Sequence, residues 1–224
     1  MNFKLNKRLT CAASFVQKGA KVADIGCDHA YLPIYLIENQ IASKVIACDI
    51  NEGPCEKARE NIRKHSLSSV IEVIRTDGLC GIDAYSPDNI VICGMGGDLI
   101  ARILGDSEYT RANSPLLILQ PMTKQSALRA WLLEKGYDIV NEALCVDDRL
   151  YEIIVAKYDG VCRSWSEAEL LLGKRNIENS SPLLSEHGKK ITEQYNTIIK
   201  GKKKASLGTE NEEALIKKLG EFLK

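Results

Sequence analysis

The stretch Val22-Ala23-Asp24-Ile25-Gly26-Cys27-Asp28-His29-Ala30-Tyr31-Leu32-Pro33 decides the fold, because it changes from a strand to a helix through one polar turn. The apolar residues before Gly26 suit a central parallel strand, which is apolar on both faces. Gly26 permits a sharp exit from the strand, and Pro33 is tolerated in a first helical turn. This order of elements is where open α/β sheets bind nucleotide-like ligands. An ordinary strand-to-helix connection uses the same residue types, so the rest of the chain has to distinguish the two.

The following sequence repeats the pattern of strand and helix. Apolar runs predict further parallel strands at 44–50, 70–75, 88–93 and 115–120, and helical spacing predicts helices at 4–18, 32–39, 51–65, 97–104 and 124–135. Two more extended runs, at 137–146 and 150–157, are separated only by Asp147-Asp148-Arg149. So short a connection requires an antiparallel hairpin. We therefore predict an α/β, Rossmann-like sheet that ends in an antiparallel hairpin.

Beyond residue 159 the composition changes, and only helical patterns remain. We predict a catalytic domain at 1–159 and a small helical domain at 160–224, in which Asn179-Ser180-Ser181-Pro182 and the segment 200–204 separate successive helices. The net charge of the chain is zero, but residues 1–159 carry 18 Lys/Arg against 21 Asp/Glu. The helical part is accordingly basic, and so is the N-terminus. Basic ends on a weakly acidic body suit the binding of a long polyanion, but a solvated surface explains the same charges.

The cysteines and the lack of long apolar runs indicate the cellular compartment of the protein. None of the eight cysteines forms a Cys-x-x-Cys pair, which argues against the common zinc and redox motifs and against a metal site. Cysteines inside apolar runs, such as Cys48 and Cys93, are typical of a reducing compartment. No signal peptide is recognisable, and no run reaches the ~20 apolar residues of a membrane span. We expect a cytoplasmic protein without membrane contact and without an obligate protein partner.

Acidic and glycine residues follow successive predicted strands. They are Asp24 and Gly26 after the first strand, Asp49 after the second, Asp77-Gly78 after the third and Gly94 after the fourth. Since the carboxyl ends of parallel strands share one crevice, these residues predict a nucleoside site, with Asp49 placed to accept the ribose hydroxyls. A pyrophosphate would need a Gly-x-Gly-x-x-Gly turn, whereas this turn has one glycine and the extra carboxylate of Asp28. NAD is therefore disfavoured, and the cationic S-adenosylmethionine is favoured.

Five segments together resemble the bacterial tRNA (adenine-22-N1)-methyltransferase family. They are residues 24–33 (DIGCDHAYLP), 47–51 (ACDIN), 76–79 (TDGL), 92–97 (ICGMGG) and 119–122 (LQPM), and the resemblance extends over the whole chain. It implies a class I methyltransferase fold that uses S-adenosylmethionine to methylate N1 of an adenine in the D-arm region of tRNA. One departure from many adenine N-methyltransferases is the GMGG turn, which replaces an Asn/Asp-Pro-Pro-aromatic motif and leaves the base-holding residues open.

The resemblance also implies roles for individual residues of the cofactor site. It assigns Asp24, Gly26 and Asp28 to the methionine side, Asp49 to the ribose and Asp77-Gly78 to the adenine. The cofactor-binding set is completed by Cys27, Ile50, Asn51 and Gly94.

Four residues are candidates for the acceptor and catalytic side. The Cys93–Gly94 backbone would accept a hydrogen bond from N6 of the target adenine, and Gln120 at a strand end would bind an adenine edge. His29 is a candidate proton acceptor, and Tyr31 a candidate for stacking on the base. Three of them have a purely structural alternative: Gln120 as a simple strand terminus, His29 as a structural loop histidine and Tyr31 as a packed core tyrosine.

Phosphate contacts are predicted at both basic ends of the chain. The candidates are Lys4, Lys7 and Arg8 on the exposed side of the first helix, and Lys202, Lys203 and Lys204, for which a solvated loop is the alternative. Rival functions left open are a methyltransferase for another RNA, DNA or a nucleobase, and an RNA-binding module with a vestigial nucleotide fold. Intact Asp24, Gly26, Asp49 and Asp77 argue against the second rival.

Overall fold

One seven-stranded sheet forms the centre of the computed structural model, which describes residues 5–223. The strands are β1 Ala20–Ile25, β2 Ala42–Asp49, β3 Ile71–Arg75, β4 Asn89–Met95, β5 Leu116–Pro121, β6 Tyr137–Val146 and β7 Leu150–Tyr158. Their spatial order is β3-β2-β1-β4-β5-β7-β6. The first five strands are parallel, and β7 is antiparallel to both β5 and β6. The predicted Rossmann-like sheet with a terminal antiparallel hairpin is confirmed.

The strand order reverses direction next to β1, and this reversal positions the candidate site. β1 pairs with β2 on one side and with β4 on the other. The connections from these strands leave toward opposite faces, which opens a crevice at the carboxyl ends of β1 and β4. The strand–turn–helix segment 22–33 therefore lies at the centre of the sheet and at its ligand-binding edge.

Helices cover both faces of the sheet. Those between the strands are α2 Tyr31–Glu38, α3 Glu52–Lys64, α4 Gly97–Gly105, α5 Tyr109–Asn113 and α6 Gln125–Glu134. Alternate residues of one strand enter different core layers: Val22 and Val91 pack on one face, and Ala23 and Ile90 on the other. Sequence periodicity missed α5 and a short 3-10 turn, Ile82–Tyr85, because neither is long enough to show a helical repeat.

The N-terminal helix is shorter than predicted and crosses the sheet. α1 spans Lys7–Ala13 rather than 4–18, and it packs against β4, β5, β6 and β7. A few residues after the helix, Gln17 makes two hydrogen bonds to the side chain of Asn89 at the start of β4. The backbone N–H of Gln17 donates to Oδ1 of Asn89, and Nδ2 of Asn89 donates to Oε1 of Gln17, both at 2.8 Å. Because this contact holds the end of the segment at the amino end of β4, the beginning of α1 reaches the carboxyl ends of the strands.

Four helices follow the sheet: α7 Glu167–Leu172, α8 Lys174–Glu178, α9 Leu184–Lys204 and α10 Glu210–Phe222. The predicted break at 179–182 is confirmed. The break predicted at 200–204 is wrong, because these residues form the last turn of α9 and the chain reverses only afterwards. Lysine is a good helix former, and cations at a helix C-terminus interact favourably with the helix dipole. Division of the chain at residue 159 into two domains stays a prediction.

A buried ionic cluster joins the last helices to the sheet. Arg129 of α6 donates to Glu142 of β6 at 2.6 Å and to Glu152 of β7 at 2.7 Å. Its third contact is the carbonyl of Leu170 in α7, at 3.0 Å. Burial opposes the charge, but the two carboxylates outweigh it and hold the pKa of Arg129 above its ordinary value. Through the Arg129 side chain, the cluster therefore connects α6, the strands β6 and β7, and α7.

Within residues 5–223, no helix combines the length and apolar character needed to cross a membrane. The same residues contain no group of three or more His, Cys, Asp or Glu side chains suited to a metal ion. All eight cysteines are free thiols.

Candidate active site

The turn after β1 has the backbone of a ligand-binding loop. Gly26, Asp28 and Ala30 all have positive φ angles, of 79°, 46° and 57°. A Cβ at position 26 would collide with Cε of Met95, so both the backbone and the available space require glycine there. The N–H groups of Gly26 and Cys27 donate to the carbonyl of Cys48 at 2.8 and 2.9 Å, which fastens the turn to β2. Cys27 is buried, and burial raises the pKa of its thiol, so it supports the loop as a neutral packing residue.

Asp24 lies under this turn as a buried carboxyl group. Only 4% of the residue is exposed. Burial, and then the charge of Asp49, raise its pKa to about 7. A carboxyl group in this setting gains most from a cationic ligand, since a nearby positive charge offsets both terms.

Asp49 at the end of β2 has the arrangement expected of a ribose acceptor. Its Oδ1 accepts from the backbone N of Asn51 at 2.9 Å, which orients the carboxylate. The neighbouring Ile50 is an apolar side chain with 51% exposure at the edge of the crevice. An exposed isoleucine beside an oriented carboxylate can pack against a nucleoside base while the carboxylate binds its sugar.

The turn after β3 borders the same edge. The N–H of Thr76 donates to the carbonyl of Asp49 at 2.9 Å, which brings the following Asp77-Gly78 next to the end of β2. Gly78 has a φ of 54°, and a Cβ there would come within 3.1 Å of Ile103. A cavity of about 700 Å³ shares Asp77 and Gly78 with the crevice but extends away toward Arg102 and Asp106. Because Asp24 and Asp49 do not line it, we do not assign the nucleoside to this cavity.

His29 and Tyr31 lie on the rim of the crevice. Nε2 of His29 is 3.5 Å from Oδ1 of the exposed Asp28, and its ring centroid is 5.3 Å from that of Tyr31. Tyr31 is 41% exposed at the start of α2. The Tyr31 side chain is therefore partly open to solvent at the rim of the crevice and is not packed in the core.

The end of β4 is held by a contact that the sequence did not reveal. Oε1 of Gln120 accepts from the N–H of Gly94 at 3.1 Å and from Nη1 of Arg8 at 2.5 Å. Nε2 of Gln120 donates to the carbonyl of Pro121 at 3.0 Å. Gln120 is fully buried and both ends of its amide are engaged, so its predicted direct contact with an adenine edge is corrected to a role in positioning Gly94.

Arg8 also departs from its predicted place. It is half-buried at the start of α1 and points to β4 and β5 rather than lying on the exposed side of the helix, as Lys7 does. The hydrogen bonds between Gln17 and Asn89, which hold the chain beyond the other end of α1, make this orientation possible. Lys4 lies outside the described residues.

The predicted lysine cluster makes ion pairs within the helical part. Lys202 pairs with Glu212 at 2.5 Å, and Lys203 pairs with Glu213 at 2.9 Å, so both link α9 to α10. Lys204 is exposed at the end of α9. The solvated loop considered for these lysines is replaced by a paired helix end, and their predicted role in binding phosphate stays a prediction.

Comparisons with known proteins identify the family of the chain. The family described as a methyltransferase domain matches residues 5–154 of the chain. The tRNA (adenine(22)-N(1))-methyltransferase of Bacillus subtilis is 40% identical over 178 residues, which cover 76% of this chain and 74% of that protein.

Two solved structures contain a cofactor or its product. A candidate tRNA (m1A22) methyltransferase of Streptococcus pneumoniae in complex with S-adenosyl-L-methionine is 33% identical, with a TM-score of 0.86 over 99% of this chain and 100% of that one. M. capricolum TrmK in complex with S-adenosyl-homocysteine is 28% identical, with a TM-score of 0.83 over 98% of this chain and 99% of that one. The domain match, the sequence identity and the shared fold together show that this chain belongs to the tRNA (adenine-22-N1)-methyltransferase family.

Proposed function

We propose that this protein transfers the methyl group of S-adenosylmethionine to N1 of adenine 22 in tRNA. The observation that carries the proposal is the shared edge of β1, β2 and β4, where Asp24, Asp49 and the Gly94 turn lie around one crevice. Family membership supplies the tRNA substrate and the target atom. A methyl donor and an adenine would meet at this edge.

The residues of the crevice fit the chemistry of S-adenosylmethionine, which supplies an electrophilic methyl group on a sulfonium. The raised pKa of Asp24 marks a carboxyl group that a bound cation would stabilise in its charged form. Asp49 would accept the ribose hydroxyls, Ile50 would pack against the adenine, and Asp77-Gly78 would border it. Gly26, Asp28 and the turn residue Cys27 would enclose the methionine part, and Asn51 would keep Asp49 oriented.

The acceptor side requires position rather than a strong base. N1 of neutral adenine already carries a lone pair, so the protein has to hold it in line with the methyl group. In this proposal the Gly94 turn, fixed by Gln120, receives the Watson–Crick edge, and the exposed ring of Tyr31 stacks on the base. His29 would accept the proton that the cationic product loses from N6. Because N1 lies on the pairing edge, the base must be unpaired or flipped out of its stack.

The two parts of the chain would both contribute to binding the tRNA. Residues 1–159 would form the catalytic domain, and residues 160–224 a helical domain that contacts the tRNA body. The proposed setting is the cytoplasm, where the chain would act without another protein subunit.

The decisive experiment incubates the purified full-length protein with methyl-labelled cofactor and a tRNA transcript that contains A22. Digestion to nucleosides should show the label in 1-methyladenosine. A matched transcript with G22 should remain unlabelled, as should a DNA oligonucleotide of the D-arm sequence. Label in another nucleoside, or equal label in the G22 transcript, would contradict the assigned substrate. Asp49→Ala should weaken cofactor binding measured by calorimetry, and an unchanged affinity would refute the assigned ribose contact.

A further inference from the structure

Two arginines from distant parts of the chain lie over the ring of one tyrosine. Cζ of Arg8 is 5.6 Å from the centroid of the Tyr151 ring, and Cζ of Arg149 is 5.1 Å from it. Tyr151 is only 8% exposed, and its hydroxyl donates to Oδ1 of Asp148 at 2.6 Å. The ring is thus fixed by the fold, and it brings together a cation of α1 and a cation of the turn between β6 and β7.

This arginine pair, Arg8 and Arg149, borders the candidate acceptor site. Nη1 of Arg8 lies 3.6 Å from the position that a Cβ would occupy at Gly94. A guanidinium has five N–H donors, and Arg8 gives one of its nitrogens to Gln120, so donors remain for a ligand. Arg149 is exposed at the turn, and its described hydrogen-bond contact is a weak one to Sδ of Met122 at 3.8 Å. Both cations are therefore placed to receive an anion beside the Gly94 turn.

The charge of the crevice favours such cations for an RNA substrate. Asp28, Asp49 and Asp77 lie at the ends of neighbouring strands in the same crevice, and carboxylates repel the phosphates attached to the target base. The turn of Arg149 also carries Asp147 and Asp148, of which Asp148 accepts the Tyr151 hydroxyl. Without a positive group near Gly94, a flipped nucleotide would bring its phosphates into an acidic field.

Building on the proposed function, we infer that Arg8 and Arg149 form a binding site for a backbone phosphate of the target nucleotide in tRNA. Arginine suits this role because its planar fork can donate two parallel hydrogen bonds to phosphate oxygens. Stacking on Tyr151 holds both guanidinium groups before the RNA arrives, which lowers the entropy lost on binding. The site anchors the nucleotide backbone while the base reaches the Gly94 turn.

The test compares salt dependence of tRNA binding for variants of the full-length protein. Fluorescence anisotropy with a labelled A22 tRNA transcript gives the dissociation constant at several salt concentrations. Arg149→Gln is the main variant, since its side chain is exposed and its replacement leaves no buried group without a charged partner. Arg63→Gln is the matched control, because Arg63 is an exposed arginine at the end of α3, which packs against β2 and β3 at the edge of the sheet opposite to β6 and β7. Calorimetry with S-adenosyl-homocysteine checks that the cofactor site is intact in each variant.

We expect Arg149→Gln to weaken tRNA binding several-fold and to reduce the salt slope by about one, as for the loss of one phosphate contact. The loss should be equal for the A22 and G22 transcripts, because a phosphate contact carries no sequence information. Arg63→Gln should match the wild-type protein, and cofactor affinity should stay the same throughout. Arg8→Lys, which keeps the charge but not the fork, should fall between wild type and Arg149→Gln.

An Arg149→Gln variant with wild-type tRNA affinity and slope would overturn the inference, and so would an equal loss in Arg63→Gln. These outcomes are separate from failure of the proposed function. If the wild-type protein forms 1-methyladenosine while Arg149→Gln keeps its slope, only the phosphate site is wrong. If the wild-type protein forms none, the proposed function is wrong, and the slopes still decide whether the arginine pair binds RNA phosphate.

Discussion

Nη1 of Arg8 donates to Oε1 of Gln120 at 2.5 Å, and that same oxygen accepts from the backbone of Gly94. One buried amide therefore connects the first helix of the chain to the turn where the acceptor base would lie. This contact explains how an N-terminal helix outside the sheet can influence the chemistry at the ends of β4 and β5.

The first prediction concerns this shared oxygen. Gln120→Leu keeps the buried volume but removes the acceptor, so Gly94 and Arg8 lose their common partner. We expect kcat for tRNA methylation to fall by about ten-fold or more, because small displacements of a positioned reactant are costly. Cofactor affinity by calorimetry should change little, since Gln120 is separate from Asp24 and Asp49.

Gln120→Glu provides the matched control for that experiment. It keeps an acceptor for both donors, so it should retain more activity than Gln120→Leu. Equal and full activity in both variants would show that the contact does not position the acceptor turn.

The second prediction is a pH dependence of cofactor affinity. Burial and Asp49 raise the pKa of Asp24 to about 7 in the free protein, whereas a bound cation favours the carboxylate. Below pH 7 the proton must be lost before the cation binds, so the association constant should fall about ten-fold per pH unit. Calorimetry between pH 5.5 and pH 7 measures this slope. Asp24→Asn should bind weakly and without the slope; a wild-type affinity that is constant over this range would contradict the assignment.

The same carboxyl group should limit the stability of the free protein. Since its folded pKa is raised above the ordinary 3.8, its contribution to stability is present below pH 4 and is lost as the pH rises toward 7. Asp24→Asn removes this loss, so the variant should melt at a higher temperature than the wild type at pH 8 and gain little at pH 4. A lower melting temperature at pH 8 would mean that Asp24 stabilises the free fold.

The third prediction concerns the buried ionic cluster. Arg129→Met leaves Glu142 and Glu152 buried without their cation, which should cost about 3–5 kcal/mol of unfolding free energy. Urea unfolding measures the loss, and limited proteolysis should show that α7 and α8 loosen first, because Arg129 also holds the carbonyl of Leu170.

A triple variant with Arg129→Met, Glu142→Gln and Glu152→Gln removes the uncompensated charges. It should recover a substantial part of the lost stability. If Arg129→Met alone costs less than about 1 kcal/mol, the cluster does not join the helices to the sheet in the way its distances indicate.

The fourth prediction separates the lysines of α9 from the arginine pair. Lys202→Gln with Lys203→Gln removes two ion pairs to α10 that are partly open to solvent, so each is worth at most about 1 kcal/mol. We expect a slightly lower melting temperature and a salt slope of tRNA binding close to that of the wild type. A slope reduced by about two would instead confirm the phosphate contacts predicted for these lysines.

Much of the fold followed from local sequence alone. Apolar runs of strand length, separated by helical repeats, predicted the five parallel strands, and the short 147–149 connection predicted the antiparallel hairpin. The cofactor side was also predictable, because parallel strands bring their carboxyl ends to one edge whatever packs around them. Asp24, Asp49 and Asp77 therefore could be grouped without coordinates.

What the sequence could not supply are contacts between segments remote along the chain. It placed Arg8 on a solvated helix face, because helical spacing does not show which end of a helix reaches a sheet edge or what lies there. From the sequence, Gln120 was predicted to bind an adenine edge, but in the structure both ends of its amide make hydrogen bonds within the protein. The lysines of α9 pair with glutamates of α10, which packs back against α9. The sequence determined the strand–turn–helix segment at 22–33, because backbone preferences are local; tertiary structure decided which side chains surround it, because each partner comes from a different part of the chain.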